Sequence, residues 1–229
     1  MVEVVDGKDM NFNEILFGSM SQPYGEGVEV PGGNPMYGFE DIVDTKTQDW
    51  IEETLLNSME WYYNAGTTKY KHTQDPKAKD THQFIHSISN GADKGKYYPL
   101  VEGILTNIQA KTNMEITEVC RIKANFLQPT PNWNHGMYHI PHVDIEDTTG
   151  DNCDYLSMIY YVNNSDGDTY LFDTWWGEDT SDMTVIGQCN PKKGRVILFH
   201  SNRYHASSCP VDTDKRMVLN FVLKVKEKQ

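Results

Sequence analysis

The residues able to do chemistry gather in three stretches of the second half of the chain. The first is Tyr138-His139-Ile140-Pro141-His142-Val143-Asp144. If His142 to Asp144 is extended, the imidazole and the carboxylate share a face, because strand side chains alternate. Such a pair can take two adjacent positions on a metal ion, although a lone His-x-Asp triplet equally describes a surface salt bridge. The second stretch is Gly194 to Ser207, where an apolar strand leads through a short turn into a strand carrying His205. The third is Arg216-Met217-Val218-Leu219-Asn220-Phe221-Val222. On a strand, Arg216, Val218, Asn220 and Val222 share one face, which aims a guanidinium inward. A buried guanidinium needs an anionic partner, and a dicarboxylate offers one through a two-point fork.

In this order the pieces resemble the iron(II)- and 2-oxoglutarate-dependent dioxygenases, specifically the prolyl 4-hydroxylase-like branch. The pattern is His-x-Asp, a long gap, a distal His and an Arg about ten residues later, here His142, Asp144, His205 and Arg216. Between them, Ile159-Tyr160-Tyr161-Val162-Asn163 resembles a Tyr-Leu-Asn strand, and Gly167 to Phe172 resembles the Gly-Glu-Thr-x-Phe turn and strand. The resemblance covers roughly residues 115 to 225. It implies iron(II) on His142, Asp144 and His205, with 2-oxoglutarate and O2 at the remaining positions and ascorbate as an accessory reductant. Arg216 would pair with the 5-carboxylate of 2-oxoglutarate, the Tyr161 hydroxyl would assist, and Asn220 would orient a water or the cosubstrate. Asn125 departs from the pattern, since relatives often place a Tyr there.

The implied reaction is hydroxylation of a C–H bond with release of succinate and CO2. Asp144 is not replaced by a small residue, which favours hydroxylation over halogenation. A prolyl residue in a peptide or protein is the leading substrate, and a small molecule is the alternative. His200 competes with His205 as the distal ligand, but its spacing to Arg216 is too long. Trp133, His139, Trp175 and Trp176 are expected near the barrel mouth on the substrate side. His139 is equally readable as a hydrogen-bonded neighbour, and the tryptophan pair as a packed hairpin tip. A rival from another class is a non-catalytic jelly-roll module holding a metal or ligand. Arg216 with Tyr161 speaks against it, because a structural metal needs no dicarboxylate anchor. A zinc hydrolase would need a Glu or His base beside the metal, and the spacing indicates none.

The elements that must position these residues are legible from periodicity. Thr45-x-x-Gln48 resembles a capping box. Trp50, Ile51, Leu55, Met59, Tyr62 and Tyr63 follow on one stripe, which predicts a helix over 45–66. Tyr97, Val101, Ile104 and Ile108 predict a second over 97–113, and a polar loop joins the two from Thr67 to Lys79. Beyond residue 115 the segments become short, β-branched and aromatic. Strands are expected at Thr117–Leu127, Tyr138–Val143, Tyr155–Val162, Thr169–Phe172, Met183–Gly187, Arg195–Phe199, Tyr204–Ser207 and Arg216–Val225. The fold class expected is α+β, mainly β. The resemblance makes it a double-stranded β-helix, a jelly roll of two antiparallel sheets with the N-terminal helices packed on the larger sheet. With no composition break, 1–229 reads as a single domain. Residues 1–114 would supply extended segments and supporting helices, and 115–229 the catalytic core. Ser21 to Pro35 reads as turns.

Composition narrows the rest. At 229 residues, 38% hydrophobic and 11% aromatic, the chain can build a core and is not disordered. No run approaches the roughly 18 apolar residues of a membrane helix, and Met1 to Met10 carries no secretory pattern. With 33 acidic against 20 basic residues and a net charge of −13, nucleic acid is a disfavoured partner. Val222 also stands where nucleic-acid demethylases usually carry a second Arg. Cys120, Cys153, Cys189 and Cys209 form no Cys-x-x-Cys pair, so reduced thiols in a cytoplasmic setting are expected. The oligomeric state is not legible.

Overall fold

The structure is a computed structural model that describes residues 36–69 and 75–228. The turn-rich stretch Ser21 to Pro35 lies outside the described residues.

Two antiparallel sheets form the molecule. The strands are β1 (Tyr37–Phe39), β2 (Tyr62–Asn64), β3 (Gln83–Asn90), β4 (Asp93–Lys94), β5 (Met114–Leu127), β6 (Tyr155–Tyr161), β7 (Thr169–Trp175), β8 (Val185–Cys189), β9 (Val196–His200), β10 (Arg203–Ser207) and β11 (Arg216–Glu227). The larger sheet runs β1-β9-β6-β11-β5-β3-β2, with β4 paired to β3, and the smaller runs β10-β7-β8. The helices are α1 (Thr45–Asn57) and α2 (Pro99–Lys111). This is the mainly β, double-stranded β-helix architecture.

Alternation along the long central strands divides the molecule. On β11, Met217, Leu219, Phe221, Leu223 and Val225 join one core cluster with Ile122 and Ala124 of β5 and Leu156, Met158 and Tyr160 of β6. The same cluster contains Ile51 and Leu55 of α1 and Val101, Ile104, Leu105 and Ile108 of α2. The helices therefore bury their apolar stripes with the outward face of the larger sheet. The inward face contributes Ile159, Tyr161, Ile197, Phe199 and Val218, which meet Leu171 and Cys189 of the smaller sheet.

Three local expectations are corrected. The first helix ends at Asn57, not near residue 66. Ser58 and Met59 both donate their N–H to the Thr54 carbonyl, closing the helix. Tyr62–Asn64 then pairs with Gln83–Ile85 as an edge strand, so Tyr62 and Tyr63 are exposed, as is Trp50. The capping box on Thr45 is not made. Asp44 is the N-cap and accepts from the Thr47 N–H at 3.1 Å, while the Gln48 amide turns back to the Val43 carbonyl. Tyr138–Val143 forms no continuous strand. It runs beside β10 through isolated contacts, with a bridge at His142 and His205, because Pro141 has no N–H to donate to a ladder. The short strands β1 to β4 were not foreseen. Tyr62–Asn64 falls in the stripe expected to be helical, and β1, β3 and β4 lie in stretches to which the sequence reading assigns no strand.

Candidate functional site

The inward face of the larger sheet carries the site as cross-strand rows. Val222 on β11 faces Arg121 on β5 and Ser157 on β6, Asn220 faces Lys123 and Ile159, Val218 faces Asn125 and Tyr161, and Arg216 faces Leu127. The segment His142–Asp144 and strand β10 close the opposite side. Between them lies a cavity of about 440 Å3, lined among others by His142, Asp144, His205, Lys123, Asn220 and Arg216.

At one end His142, Asp144 and His205 each aim a donor atom at a common point, all within 4.8 Å of one another. His142 and Asp144 share a face because the chain between them is extended, and the bridge to His205 sets the register. The His142 N–H donates to the His205 carbonyl at 3.0 Å, and the His205 N–H returns the bond at 2.9 Å. His205 Nδ1 lies 3.0 Å from the Arg203 carbonyl, and His142 Nδ1 lies 3.4 Å from that of Ile140. A carbonyl only accepts, so each Nδ1 carries the proton and each Nε2 presents its lone pair inward. His205 Nε2 is buried and has no hydrogen-bond partner. Such an orphaned acceptor is costly unless something binds it. Two imidazoles and one carboxylate on one face, with such an atom among them, fit a divalent first-row metal, and iron(II) suits this donor set.

The electrostatics suit the same purpose. Burial, with His205 adjacent, depresses His142 to a pKa of about 3, and burial also lowers His205. Both rings are neutral at pH 7, as ligands must be. Burial alone would raise the Asp144 carboxyl, but His205, Arg121 and His142 together hold it well below the usual range. Arg121 donates Nη2–H to Asp144 Oδ1, and the Ser157 hydroxyl donates to Oδ2 at 2.6 Å.

At the other end stands Arg216, buried at 3% exposure. Its Nε–H donates to the Gly167 carbonyl at 2.6 Å, and its Nη2–H to Thr169 Oγ1 at 2.8 Å. The Tyr161 hydroxyl donates to the same Thr169 oxygen at 2.8 Å. Among the described residues no carboxylate pairs with Arg216.

Other expected residues fall elsewhere. Asn220 lines the cavity, its Oδ1 3.4 Å from Arg121 Nη2. Asn125 also lines it and donates to Gln83. His200 ends β9 against Trp175 and is not brought to the other ligands. Trp133 and His139, expected on the substrate side, do not line the cavity. Trp133 is buried with Leu127 and Cys209, its indole N–H on the Ser208 hydroxyl. His139 is fully buried between Ser207 and Thr81. Trp175 packs on the Arg203 guanidinium and Trp176 on Tyr204. Neither lines the cavity, because this hairpin tip folds back on β10. Arg121, Lys123, Ser157 and Thr169 were missed. The period-two run Arg121-x-Lys123-x-Asn125, with Ile122 and Ala124 between, was the available signal for the first two.

No family model matches the sequence, and no curated protein matches it. Its structure, however, is similar to several solved ones. A non-heme alpha-ketoglutarate-dependent carbocyclase from nogalamycin biosynthesis, SnoK, aligns with TM-score 0.53 at 9% identity, over 85% of this chain and 82% of that one. The epimerase SnoN, solved with Fe3+, alpha-ketoglutarate and nogalamycin RO, aligns with TM-score 0.52 at 10% identity, over 86% and 82%. A Trichoplax adhaerens prolyl hydroxylase, bound to a fragment of the hypoxia inducible factor oxygen degradation domain, aligns with TM-score 0.50 at 12% identity, over 83% and 84%. The chain has the double-stranded β-helix fold of the 2-oxoglutarate- and iron(II)-dependent oxygenases.

Proposed function

We propose that the protein is an iron(II)- and 2-oxoglutarate-dependent oxygenase that hydroxylates a C–H bond. The observation that carries this reading is the joint presence, in one cavity, of a two-histidine, one-carboxylate cluster and a buried guanidinium without a carboxylate partner among the described residues. A structural metal site has no use for the second feature. His142, Asp144 and His205 would hold the metal. Iron(II) held there would activate O2, the oxidant, one of whose oxygen atoms goes to the substrate C–H bond and the other to 2-oxoglutarate, released as succinate and CO2.

The chain's own residues do the positioning. Arg216 offers the 5-carboxylate of 2-oxoglutarate a two-point fork, and Thr169 and Tyr161 hold that fork in place. Ser157 and Arg121 fix the Asp144 carboxylate, and the Arg203 and Ile140 carbonyls fix the tautomers of the two histidines. The apolar wall of Ile159 and Val218 limits water around the reacting groups. The finer reading, a prolyl residue in a peptide or protein, is supported by the sequence resemblance and by the peptide-bound neighbour of the same fold.

The test is succinate formation from 2-oxoglutarate by iron-loaded protein, with Asp144→Ala as control. Iron-dependent succinate that disappears in the variant supports the proposal. Protein that binds metal but neither binds nor consumes 2-oxoglutarate overturns it in favour of a binding module. Mass-spectrometric gain of one oxygen by a proline-containing peptide would establish the finer reading. Gain only by small molecules would reject it.

A further inference from the structure

The wall of the cavity is cationic although the protein is strongly anionic. Arg121, Lys123, Lys69 and Arg216 line it, against the carboxylates Asp144 and Glu146. Lys69 pairs with Glu146. On the oxygenase reading, the 5-carboxylate of 2-oxoglutarate neutralises Arg216. A divalent metal is neutralised by Asp144 together with the 1-carboxylate. That count leaves the loaded site with two positive charges in excess, carried by Lys123 and by Arg121, which would share Asp144 with the metal.

Neither is an incidental surface charge. Lys123 sits in the middle row of the inward face, between Asn220 on β11 and Ser87 on β3. Among the described residues no hydrogen bond or ion pair engages its ammonium. Arg121 Nε, one row away, is a buried donor with no hydrogen-bond partner. Lys123 is half-buried, and burial brings the lysine down to about 8, still protonated at pH 7. A cavity holding a lone ammonium beside an unsatisfied guanidinium N–H presents donors without acceptors, which suits an anionic group.

We propose that the substrate carries a carboxylate, seated on Lys123 beside Arg121 and Asn220, and that this contact orients its C–H bond toward the metal. This proposal rests on the oxygenase reading, since the count assumes 2-oxoglutarate on Arg216. It reverses the preference for a basic substrate that the net charge of −13 alone would suggest. The carboxylate can belong to a free small acid or to an acidic side chain of a peptide, and the chemistry at Lys123 is the same.

The experiment uses full-length protein loaded with Zn(II), which does not turn over, and with 2-oxoglutarate. Acetate is titrated in while backbone amide resonances are followed by NMR. N-acetylproline, its uncharged amide and a blocked aspartyl-prolyl peptide are then compared. Saturable acetate shifts on β5 and β11 are expected. Lys123→Met should weaken acetate by about ten- to hundredfold, the worth of one hydrogen bond to a charged group, with 2-oxoglutarate affinity changed less than about threefold. Lys123→Arg should restore acetate binding. N-acetylproline binding where its amide does not marks a small acid, and binding of the peptide alone marks an acidic side chain. Two results overturn the proposal. One is no saturable acetate binding. The other is loss of 2-oxoglutarate in Lys123→Met as severe as in Arg216→Met, which would make Lys123 a cosubstrate ligand. If Zn(II)-loaded wild type binds no 2-oxoglutarate, the oxygenase reading fails, while the acetate titration still reports on Lys123.

Discussion

Arg216 differs from the surface cations in that its environment was assembled before any ligand arrives. Gly167, Thr169 and Tyr161 hold it, and none of them neutralises it. Replacing it with Ala should weaken 2-oxoglutarate binding by about 3–5 kcal/mol, more than a hundredfold, and leave metal affinity unchanged. Anaerobic titration of both ligands checks this, and an unchanged dissociation constant for 2-oxoglutarate would place the anchor elsewhere. His139 gives a pH dependence. Burial, with Arg216 nearby, depresses it from 6.5 to about 3, so the folded state keeps it neutral while the unfolded chain protonates near 6.5. The unfolded state therefore binds the extra proton between those values, and stability must fall as pH falls through that window. The slope approaches about 1.4 kcal/mol per pH unit from this group. Denaturant midpoints of wild type and His139→Gln at pH 7, 6 and 5 should converge as the solution becomes more acidic. Parallel curves would show that His139 is not the buried proton acceptor. At this scale the convergence of His142, Asp144 and His205 and the inward aim of Arg216 could be read from sequence, because their types and spacing carry the expected chemistry. The burial of Trp133 could not, and His139 left two readings open, since neither residue type says whether it faces a cavity or a core.

The elements matter through register. On β5 one residue of slip would turn Arg121, Lys123 and Asn125 into the apolar layer and Ile122 and Ala124 into the cavity. The long ladder to β11, from Arg216 opposite Leu127 to Glu227 opposite Met114, guards against that. The turn before β7 is held as tightly. A Cβ on Gly167 would stand 2.6 Å from the Ser208 carbonyl oxygen and 2.9 Å from Arg216 Cδ. Backbone and guanidinium stem thus pack where any side chain would go. Gly167→Ala should cost about 1–3 kcal/mol of stability and, by displacing Arg216, weaken 2-oxoglutarate about tenfold or more without touching the metal. Thermal melts with 2-oxoglutarate titration check both halves. Normal cosubstrate affinity would mean that the turn can shift without moving the arginine. The strands after residue 115 were visible in the sequence because they alternate and are bounded by turns. β2 and β3 were not, because Tyr62–Asn64 continues an apparent helical stripe and only its pairing with Gln83–Ile85 decides its conformation.

On the scale of the whole molecule, the two helices share one interior with the larger sheet rather than merely adjoining it. The cluster that holds Ile51, Leu55, Ile104 and Ile108 also holds Leu219, Phe221 and Leu223 of β11, and Val218 and Asn220, between these residues on the same strand, face the cavity. Chain order hides this, since the helices precede the β-rich part and no composition break marks where one unit would end. The expected consequence is one cooperative unit, in which a helix residue far from the His142, Asp144 and His205 cluster controls the stability of the site. Ile104 is fully buried, and Ile104→Ala should destabilise by about 2–5 kcal/mol through lost burial and the cavity left behind. In the variant, denaturant unfolding followed by far-ultraviolet circular dichroism, by tryptophan fluorescence and by release of bound metal should shift to one common, lower midpoint. Trp61 reports beside the helices and Trp175 beside the smaller sheet, so the fluorescence samples both parts. An early transition confined to the helical signal, with metal still bound, would show instead that residues 1–114 and the jelly roll fold as separate units.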